Sequence, residues 1–552
     1  MADLAAVAEV VSENEPLTTL PRLEDEPTIL DSKIATGERS RSGIALFLLA
    51  TLAAVSYIGI HVARDLRVAS VTSGWPYLLL AMALLIALGF EFVNGFHDTA
   101  NAVATVIYTH SLEPHIAVVW SGLCNLAGVL FSTGTVAFAV ITLLPVELIL
   151  QVSSGAGFSM VFALLIAAIL WNLSTWWFGL PASSSHTMVG SIMGVGIANQ
   201  LLNARSGTSG VDWDQAAKVL KALLFSPLIG FTLAAGLILL SKWMIRVPAL
   251  YEAPKDNTPP PFPIRMLMIL TCTGVSFYHG SNDGQKGMGL IMLILIGTVP
   301  TAYALNHAVT AADIQDFLAA SEQVTHILDL HIDPKAAPSS NPRAELTDYI
   351  RTKQMQPGTM LALRTLVQDV NHDVALYKAI KAVPPSEQAN VRNDMYVASE
   401  AIRLLQRNGN PGFTSAENAA LTNYKSKLDK STKYIPNWVK VAVALALGLG
   451  TMVGWKRIVV TVGEKIGKEQ LTYAQGAAAG LVAIATIRMA DAYGLPVSTT
   501  HVLSSGVAGT MTANGSGLRL TTVRNIAMGW IFTLPAAAIL SGLLYCLFRS
   551  IA

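Results

Sequence analysis

Long apolar runs dominate the chain, and polar segments divide them into two groups. Each run approaches the roughly 20 apolar residues that an α-helix needs to cross a bilayer. The pattern therefore predicts an all-α polytopic membrane protein with one extra N-terminal transmembrane helix and five crossings in each half. The predicted spans are 43–63, then 76–107, 116–143, 157–178, 180–202 and 218–246, and then 264–304, 436–456, 472–491, 495–513 and 522–548.

The polar segments set the predicted domain boundaries. Residues 1–42 are polar and acidic in their first half, which predicts a disordered tail. The insert at 305–435 is the one part expected to fold in water, as a helical cap or loop outside the cell. The remaining boundaries are the extra transmembrane helix at 43–70, repeat 1 at 71–246, a basic Pro-rich linker at 247–263, and repeat 2 at 264–304 and 436–552.

Two stretches with a shared pattern lie between the apolar runs, Gly89 to Asn101 and Gly274 to Lys286. Aligned without gaps, they bring Asp98 opposite Asp283. A carboxylate at membrane depth costs several kcal/mol unless it faces a cavity or a partner, so the matched acids predict a transport site. The Gly, Asn or His, and Asp residues of each motif also predict a break in the helix at that point.

A second pair of motifs consists of a Gly-Leu-Pro turn followed by hydroxyl side chains and a His. One copy runs from Gly179 to His186 and the other from Gly494 to His501. A helix should begin after each turn, and hydroxyls with N–H groups at a helix N-terminus form an anion site. The predicted anion ligands are Ser183, Ser184 and Ser185 in the first copy, and Ser498, Thr499 and Thr500 in the second.

The two halves carry their motifs in the same order, and each half has an odd number of crossings. The halves should therefore lie in opposite orientations, and the basic loops after 456 and 513 agree with that arrangement. Inverted repeats with interrupted helices are typical of secondary transporters, which bind substrate at the midplane. Acids combined with hydroxyl-rich helix starts favour an oxyanion carried together with a cation or a proton.

Composition removes several other classes of function. Only 13% of the residues are charged, against about 25% in soluble domains, and the net charge of +1 comes without a basic tract that could bind nucleic acid. The three cysteines lie far apart, with no metal-binding spacing. The sequence shows no combination of a nucleophile and a base that would indicate an enzyme. Glu91 has no acidic counterpart in the second motif, and it is either a proton carrier or a partner for His97 or Lys286.

At these motifs the chain resembles the PiT family of inorganic phosphate transporters, whose signature occurs once per half. The copies here are Gly95 to Ala102 and Gly280 to Gly287. The resemblance implies multi-pass insertion in the bacterial inner membrane, homodimers, and uptake of inorganic phosphate coupled to a cation gradient. In the bacterial branch it implies symport of protons with a neutral complex of phosphate and a divalent cation such as magnesium, without a bound cofactor.

The resemblance also implies that Asp98, Asn101, Asn282 and Asp283 line the site together with the two hydroxyl clusters. Two positions depart from the sodium-coupled members. His97 replaces an Asn, and Lys286 stands where the first copy has Asn101. A His titrates near neutral pH and a Lys adds a fixed positive charge, so both departures favour proton coupling and Lys286 also attracts phosphate.

Other functions stay open on the sequence alone. Hydroxyls and helix N-termini fit any tetrahedral oxyanion, so a sulfate permease is one alternative, and a sodium-coupled phosphate symporter is another. A third alternative, from a different class of function, is a non-transporting membrane sensor that uses the insert as its output.

Overall fold

The computed structural model describes residues 30, 41–66, 75–150, 155–203, 210–254, 258–409 and 411–551. The chain separates into a unit at Met1–Gly43 and a unit at Ile44–Ala552. Nearly all of the predicted tail lies outside the described residues. Within the described residues the fold is all-α, and the one pairing of extended backbone is an isolated bridge between Gly467 and Leu518.

Eight helices lie in the described part of the first half. The N-terminal helix α1 is apolar and mostly exposed, as expected for a helix that faces lipid. The helices are α1 Arg41–Leu66, α2 Trp75–Tyr108, α3 Pro114–Phe131, α4 Thr135–Ile141, α5 Val146–Leu150, α6 Gly155–Trp177, α7 Ser184–Leu202 and α8 Trp213–Met244.

The second half begins with α9 and is interrupted by the polar insert. The insert buries its own hydrophobic cluster, which runs from Leu305 to Leu428 in sequence. The helices are α9 Phe262–Thr298, α10 Pro300–Tyr303, α11 Ala311–Leu330, α12 Pro342–Thr352, α13 Thr359–Tyr377, α14 Gln388–Asn408, α15 Ser415–Thr432, α16 Asn437–Thr451, α17 Lys456–Val460, α18 Tyr473–Ala492, α19 Thr499–Asn514 and α20 Leu520–Ile551.

Both acidic motifs lie inside continuous helices, so the predicted helix breaks at these motifs are wrong. Asp98 lies within α2 and Asp283 within α9. The motif glycines allow neighbouring backbones to approach instead. A Cβ atom at Gly95 would collide with the carbonyl oxygen of Leu447, and one at Gly280 would collide with that of Asn125. Small residues serve this purpose at helix contacts in membrane proteins.

Two predicted membrane spans are interrupted at other positions. The predicted span 116–143 ends at Phe131, and a turn with Gly134 at φ +88° separates it from α4. The predicted span 436–456 ends at Thr451, and the chain bends by 60° before the next helical segment. A positive φ suits glycine and few other residues, which explains why Gly134 occupies the turn before α4.

The two halves exchange helices in a reciprocal way. In the first exchange, α2 packs along α16 and α9 packs along α3. In the second, α8 packs along α19 and α20 packs along α7. Each half therefore completes its core with a helix from the other half.

Two helical hairpins, α6 with α7 and α18 with α19, have their open ends at opposite ends of α8. Lys353 of the insert forms an ion pair with Asp212 at the start of α8, where Gly196 of α7 packs against Val211. Lys242 near the end of α8 donates to the carbonyl oxygen of Asn514 in α19. α8 has 32 residues and is about 48 Å long, so the two hairpins extend into the protein from opposite ends of this helix.

Six described helices are long and apolar enough to cross a membrane, or seven if the bent pair Asn437–Thr451 and Lys456–Lys465 counts as one span. Among the described residues, the other predicted spans fall on helices that are shorter or more polar, namely α7, α9, α18 and α19. α9 carries an acidic motif, and the other three helices belong to the hairpins.

The close contact between α3 and α9 gives a test of this packing. A Cβ atom at Gly128 would collide with the carbonyl oxygen of Phe277, whereas one at Gly236 in α8 meets open space. We expect Gly128→Val to lower the free energy of unfolding by about 1–3 kcal/mol or more through overpacking. Gly236→Val is the control. Equal melting temperatures of the two variants in detergent would contradict the close crossing.

Candidate functional site

The two hairpin tips place two helix N-termini in the protein interior. Gly179 and Gly494 turn the chain with φ values of +65° and +64°. Ser183 then accepts a hydrogen bond from the backbone N–H of His186, and Ser498 accepts one from that of His501. Each serine thus caps the helix that follows it. The predicted helix starts after both Gly-Leu-Pro turns are confirmed.

The acid pair lies between these N-termini. Asp98 and Asp283 are both buried, with 3% and 1% exposure. The Ser184 hydroxyl lies 2.7 Å from Oδ2 of Asp98 and 3.1 Å from Oδ2 of Asp283, and the Thr500 hydroxyl donates to Oδ1 of Asp98 at 2.6 Å. One hydroxyl carries one proton, so Ser184 satisfies one of the two carboxylates at a time. The carboxylates are therefore close enough to repel each other.

Lys286 is the fixed positive charge of the site. Its Nζ lies 2.6 Å from Oδ1 of Asp283 and donates to the Ser185 hydroxyl at 2.5 Å. Ser185 in turn donates to the carbonyl oxygen of Val497 at 2.8 Å. This chain of contacts connects α9 with the tips of both hairpins, so Lys286 also holds the hairpins together.

Two histidines contact the acids from opposite sides. His97 Nδ1 lies 3.2 Å from Oδ1 of Asp98, and its Nε2 lies 3.1 Å from the Thr175 hydroxyl. His279 Nε2 lies 3.5 Å from Oδ2 of Asp283 and 3.9 Å from Oδ2 of Asp98. Sequence reasoning missed His279, although its position one helical turn before Asp283 was a usable signal.

The other ring nitrogen of His279 is held by an amide. Nδ1 lies 2.9 Å from Oδ1 of Asn125, and the amide nitrogen of Asn125 donates to the Thr451 hydroxyl at 3.0 Å. If Nδ1 carries the proton, it donates to the amide oxygen, and Nε2 presents its lone pair toward the acids. No sequence pattern linked these residues, because Asn125 and Thr451 come from helices far apart in the chain.

Three side chains of the site could together hold a cation. One ligand atom each from Asp98, His279 and Asp283 lies within 4.8 Å of the others, and all three residues are buried. Two carboxylate oxygens and an imidazole nitrogen suit a divalent cation, and the carboxylates alone suit a proton. The sequence predicted the two acids of this group but not His279.

The remaining predicted residues occupy supporting or separate positions. Asn282 donates to the carbonyl oxygen of Leu495 at 3.2 Å and accepts from the N–H of Val497 at 3.3 Å, so it ties α9 to the second hairpin tip. The Thr499 hydroxyl is buried without a hydrogen-bond partner among the described residues. The side chain of Asn101 lies outside the described part of the structure.

Glu91 lies on α2 against the residue that follows Lys286. It is fully buried against Gly287, and neither carboxylate oxygen has a hydrogen-bond partner in the described part of the chain. The structure therefore does not pair it with His97 or Lys286 by a hydrogen bond. An ionised carboxylate without a donor is costly in such a place, which favours the protonated form.

A second network, also missed from sequence, holds α9 beside the second hairpin. Asp491 accepts from the Ser281 hydroxyl and from the Gln285 amide, each at 2.7 Å. The amide oxygen of Gln285 accepts the backbone N–H of Val136 at 2.9 Å. Ser281 and Gln285 lie two residues to either side of Asp283, so the contacts hold the face of α9 opposite to the one that carries Asp283.

The motif histidines stack on each other where the hairpin tips meet. The ring centroids of His186 and His501 lie 4.4 Å apart, and His501 lies 4.1 Å from the ring of Trp530. Trp530 also donates to the carbonyl oxygen of Pro181. These rings close the interface between the two halves beside the site.

Comparison with known proteins gives a consistent result. A sequence profile described as the Phosphate transporter family matches residues 94–541. The chain is 40% identical over 498 residues to the low-affinity inorganic phosphate transporter PitB of Escherichia coli strain K12, and 42% identical over 491 residues to PitA of that strain. Both alignments cover 85% of this chain and 96% of the relative.

One solved structure, described as the sodium-dependent phosphate transporter, matches with 19% identity and a TM-score of 0.48. The match covers 86% of this chain and 100% of that one.

The matched residues include Asp98, Asp283 and both hydroxyl-rich helix starts. The relatives are named as transporters, which agrees with the expectation of a transporter rather than an enzyme. The chain belongs to the phosphate transporter family.

Proposed function

We propose that the protein is a secondary active importer that carries phosphate, as a neutral complex with a divalent cation, in symport with protons. The observation that carries this proposal is the meeting of two helix N-termini at two buried carboxylates that share the Ser184 hydroxyl. The anion site and the cation site thus share the Ser184 hydroxyl, so each ligand affects the binding of the other.

The anion is bound by the hairpin tips. The hydroxyls of Ser184, Ser185 and Thr500 face inward, and the N-termini of α7 and α19 add positive partial charge. Lys286 contributes a full positive charge beside Ser185. Four oxygens of a phosphate match such a set of convergent donors.

The cation or proton is bound by the acid pair. Ser184 and Thr500 donate to the carboxylates. A proton or a divalent cation on Asp98 or Asp283 lowers their mutual repulsion and frees these hydroxyls to donate to phosphate. Positive linkage follows, since each ligand raises the affinity for the other. Glu91 and His97 supply further proton positions close to the pair.

Alternating access is the transport mechanism that the fold supports best. The hairpins open toward opposite ends of α8, and their tips meet at the site, as inverted repeats require. Movement of one hairpin tip relative to the other would expose the site to one side and then the other. We place the protein in the bacterial inner membrane as a homodimer, with the insert outside.

The acid pair gives the first test of this mechanism. Asp283→Asn removes the charge that Lys286 and His279 face, and we expect it to abolish phosphate uptake without loss of expression. Asp329→Asn, which alters a partly exposed carboxylate of the insert, is the matched control and should retain uptake. Normal uptake by the Asp283→Asn variant would remove the acid pair from the mechanism.

The coupling ion is tested in proteoliposomes with radiolabelled phosphate and a pH gradient or a sodium gradient imposed separately. We expect the pH gradient to drive uptake, because His97 and Lys286 replace neutral side chains that would otherwise favour sodium. Uptake driven by sodium alone would contradict proton coupling while leaving the phosphate site intact.

The transported complex is tested in the same vesicles with and without magnesium. We expect magnesium to accelerate uptake, because a neutral complex adds no net charge to the buried site. Competition by arsenate but not by sulfate should accompany this result, since arsenate carries protons as phosphate does. Equal rates with and without any divalent cation would argue against the metal complex.

A further inference from the structure

A cleft between the insert and the membrane helices is not used by the proposed function. Its insert side is formed by α14 and the end of α15, and its membrane side by α4 and α9. The polar residues that line it are Thr142, Arg392, Tyr396, Thr432 and Lys433, and we call this place the outer cleft. Apart from the threonine hydroxyls and the Tyr396 phenol, its polar groups are cationic.

Among the described residues, Arg392 has no acidic partner, although it is buried in the outer cleft. It is 5% exposed, and the described residues provide no carboxylate within ion-pair distance of it. Nη1 donates to Asn393 at 3.0 Å, and the guanidinium lies 4.9 Å from the ring centroid of Tyr396. Nε has no partner among the described residues. Burial lowers the pKa of this guanidinium.

The acids nearest to the cleft are already paired with other cations. Glu400 contacts both Arg403, at 2.6 Å, and Lys433, at 3.3 Å. Asp429 lies 2.9 Å from Lys433. These pairs leave the charge of Arg392 uncompensated. A buried charge of this kind is unfavourable, and a bound anion would compensate it.

We infer that the outer cleft is a second phosphate site, in which Arg392 binds the anion before it reaches the acid pair. The guanidinium offers paired donors that match two oxygens of a tetrahedral oxyanion. The inference rests on the proposed function, since it takes phosphate as the substrate. It assigns the insert a role in capturing substrate, beyond that of a cap.

One wall of the outer cleft belongs to α9, the helix that carries Lys286. Leu293 lines the cleft and follows Lys286 by seven residues on the same helix, which is about 10 Å along α9. The apolar side chains of α4 and α9 separate the two sites. An anion held at Arg392 would therefore pass these apolar side chains on its way to the hairpin tips.

Phosphate binding requires the cleft to widen. The free space is about 20 Å³, which corresponds to about one water molecule. Arg392 and Lys433 have long side chains with several rotatable bonds, so they can move outward with a bound anion. The uncompensated charge of Arg392 provides the driving force for that movement.

The first experiment measures phosphate uptake into proteoliposomes as a function of phosphate concentration. Arg392→Gln should raise the KM about tenfold and leave the maximal rate within about twofold, because the central site is untouched. Arg392→Lys should recover part of the affinity. Arg364→Gln, which removes a charge from another face of the insert, is the control and should leave the KM unchanged.

The second experiment separates capture from a structural role. Arg392→Leu removes an unpaired buried charge, so the melting temperature without phosphate should stay equal or rise. The stabilisation produced by added inorganic phosphate, without divalent cations, should become smaller than in the unmodified protein. A lower melting temperature together with loss of uptake at all phosphate concentrations would overturn the inference.

The two proposals fail in different ways. Absence of phosphate uptake by the unmodified protein would reject the proposed function. Normal uptake by the unmodified protein, with an unchanged KM in Arg392→Gln, would reject the outer cleft alone.

Discussion

The sharing of one hydroxyl proton by two buried carboxylates is the interaction on which the site depends. Ser184 lies between Asp98 and Asp283, and neither acid is in contact with bulk water. Two negative charges so close in a medium of low dielectric constant are strongly unfavourable. Lys286, the histidines and the two helix N-termini lower this cost. Each of these groups must be held in position, and the rest of the fold does so.

The backbone meets this requirement by combining continuous and interrupted helices. The continuous helices α2 and α9 carry the acids and cross α16 and α3 at distances that only glycine permits. The hairpins bring helix N-termini to the same point from opposite ends of α8. The acids thus lie on continuous helices, and the helix N-termini lie at turns. This arrangement fits the alternating access proposed above.

Sequence patterns predicted the acids and the helix starts of the site, but not how the helices around them pack. Repetition identified Asp98 and Asp283, and the Gly-Leu-Pro turns located both helix starts. The acidic motifs were misread as helix breaks, because glycine is common both where a helix ends and where a neighbouring backbone lies close. Residues such as His279 and Asn125 lacked any repeated pattern. Their roles depend on contacts between distant helices, which a single sequence does not show.

Charge balance explains why such a site would couple two substrates. Lys286 supplies one fixed positive charge against two carboxylates, so a phosphate anion that entered alone would leave the buried site with excess negative charge. Ser184 and Thr500 would also have to stop donating to Asp98 in order to donate to phosphate, because each hydroxyl has one proton. A proton or a divalent cation removes both obstacles at once. The proposed coupling would then follow from electrostatics and from the number of available donors, without any additional device in the protein.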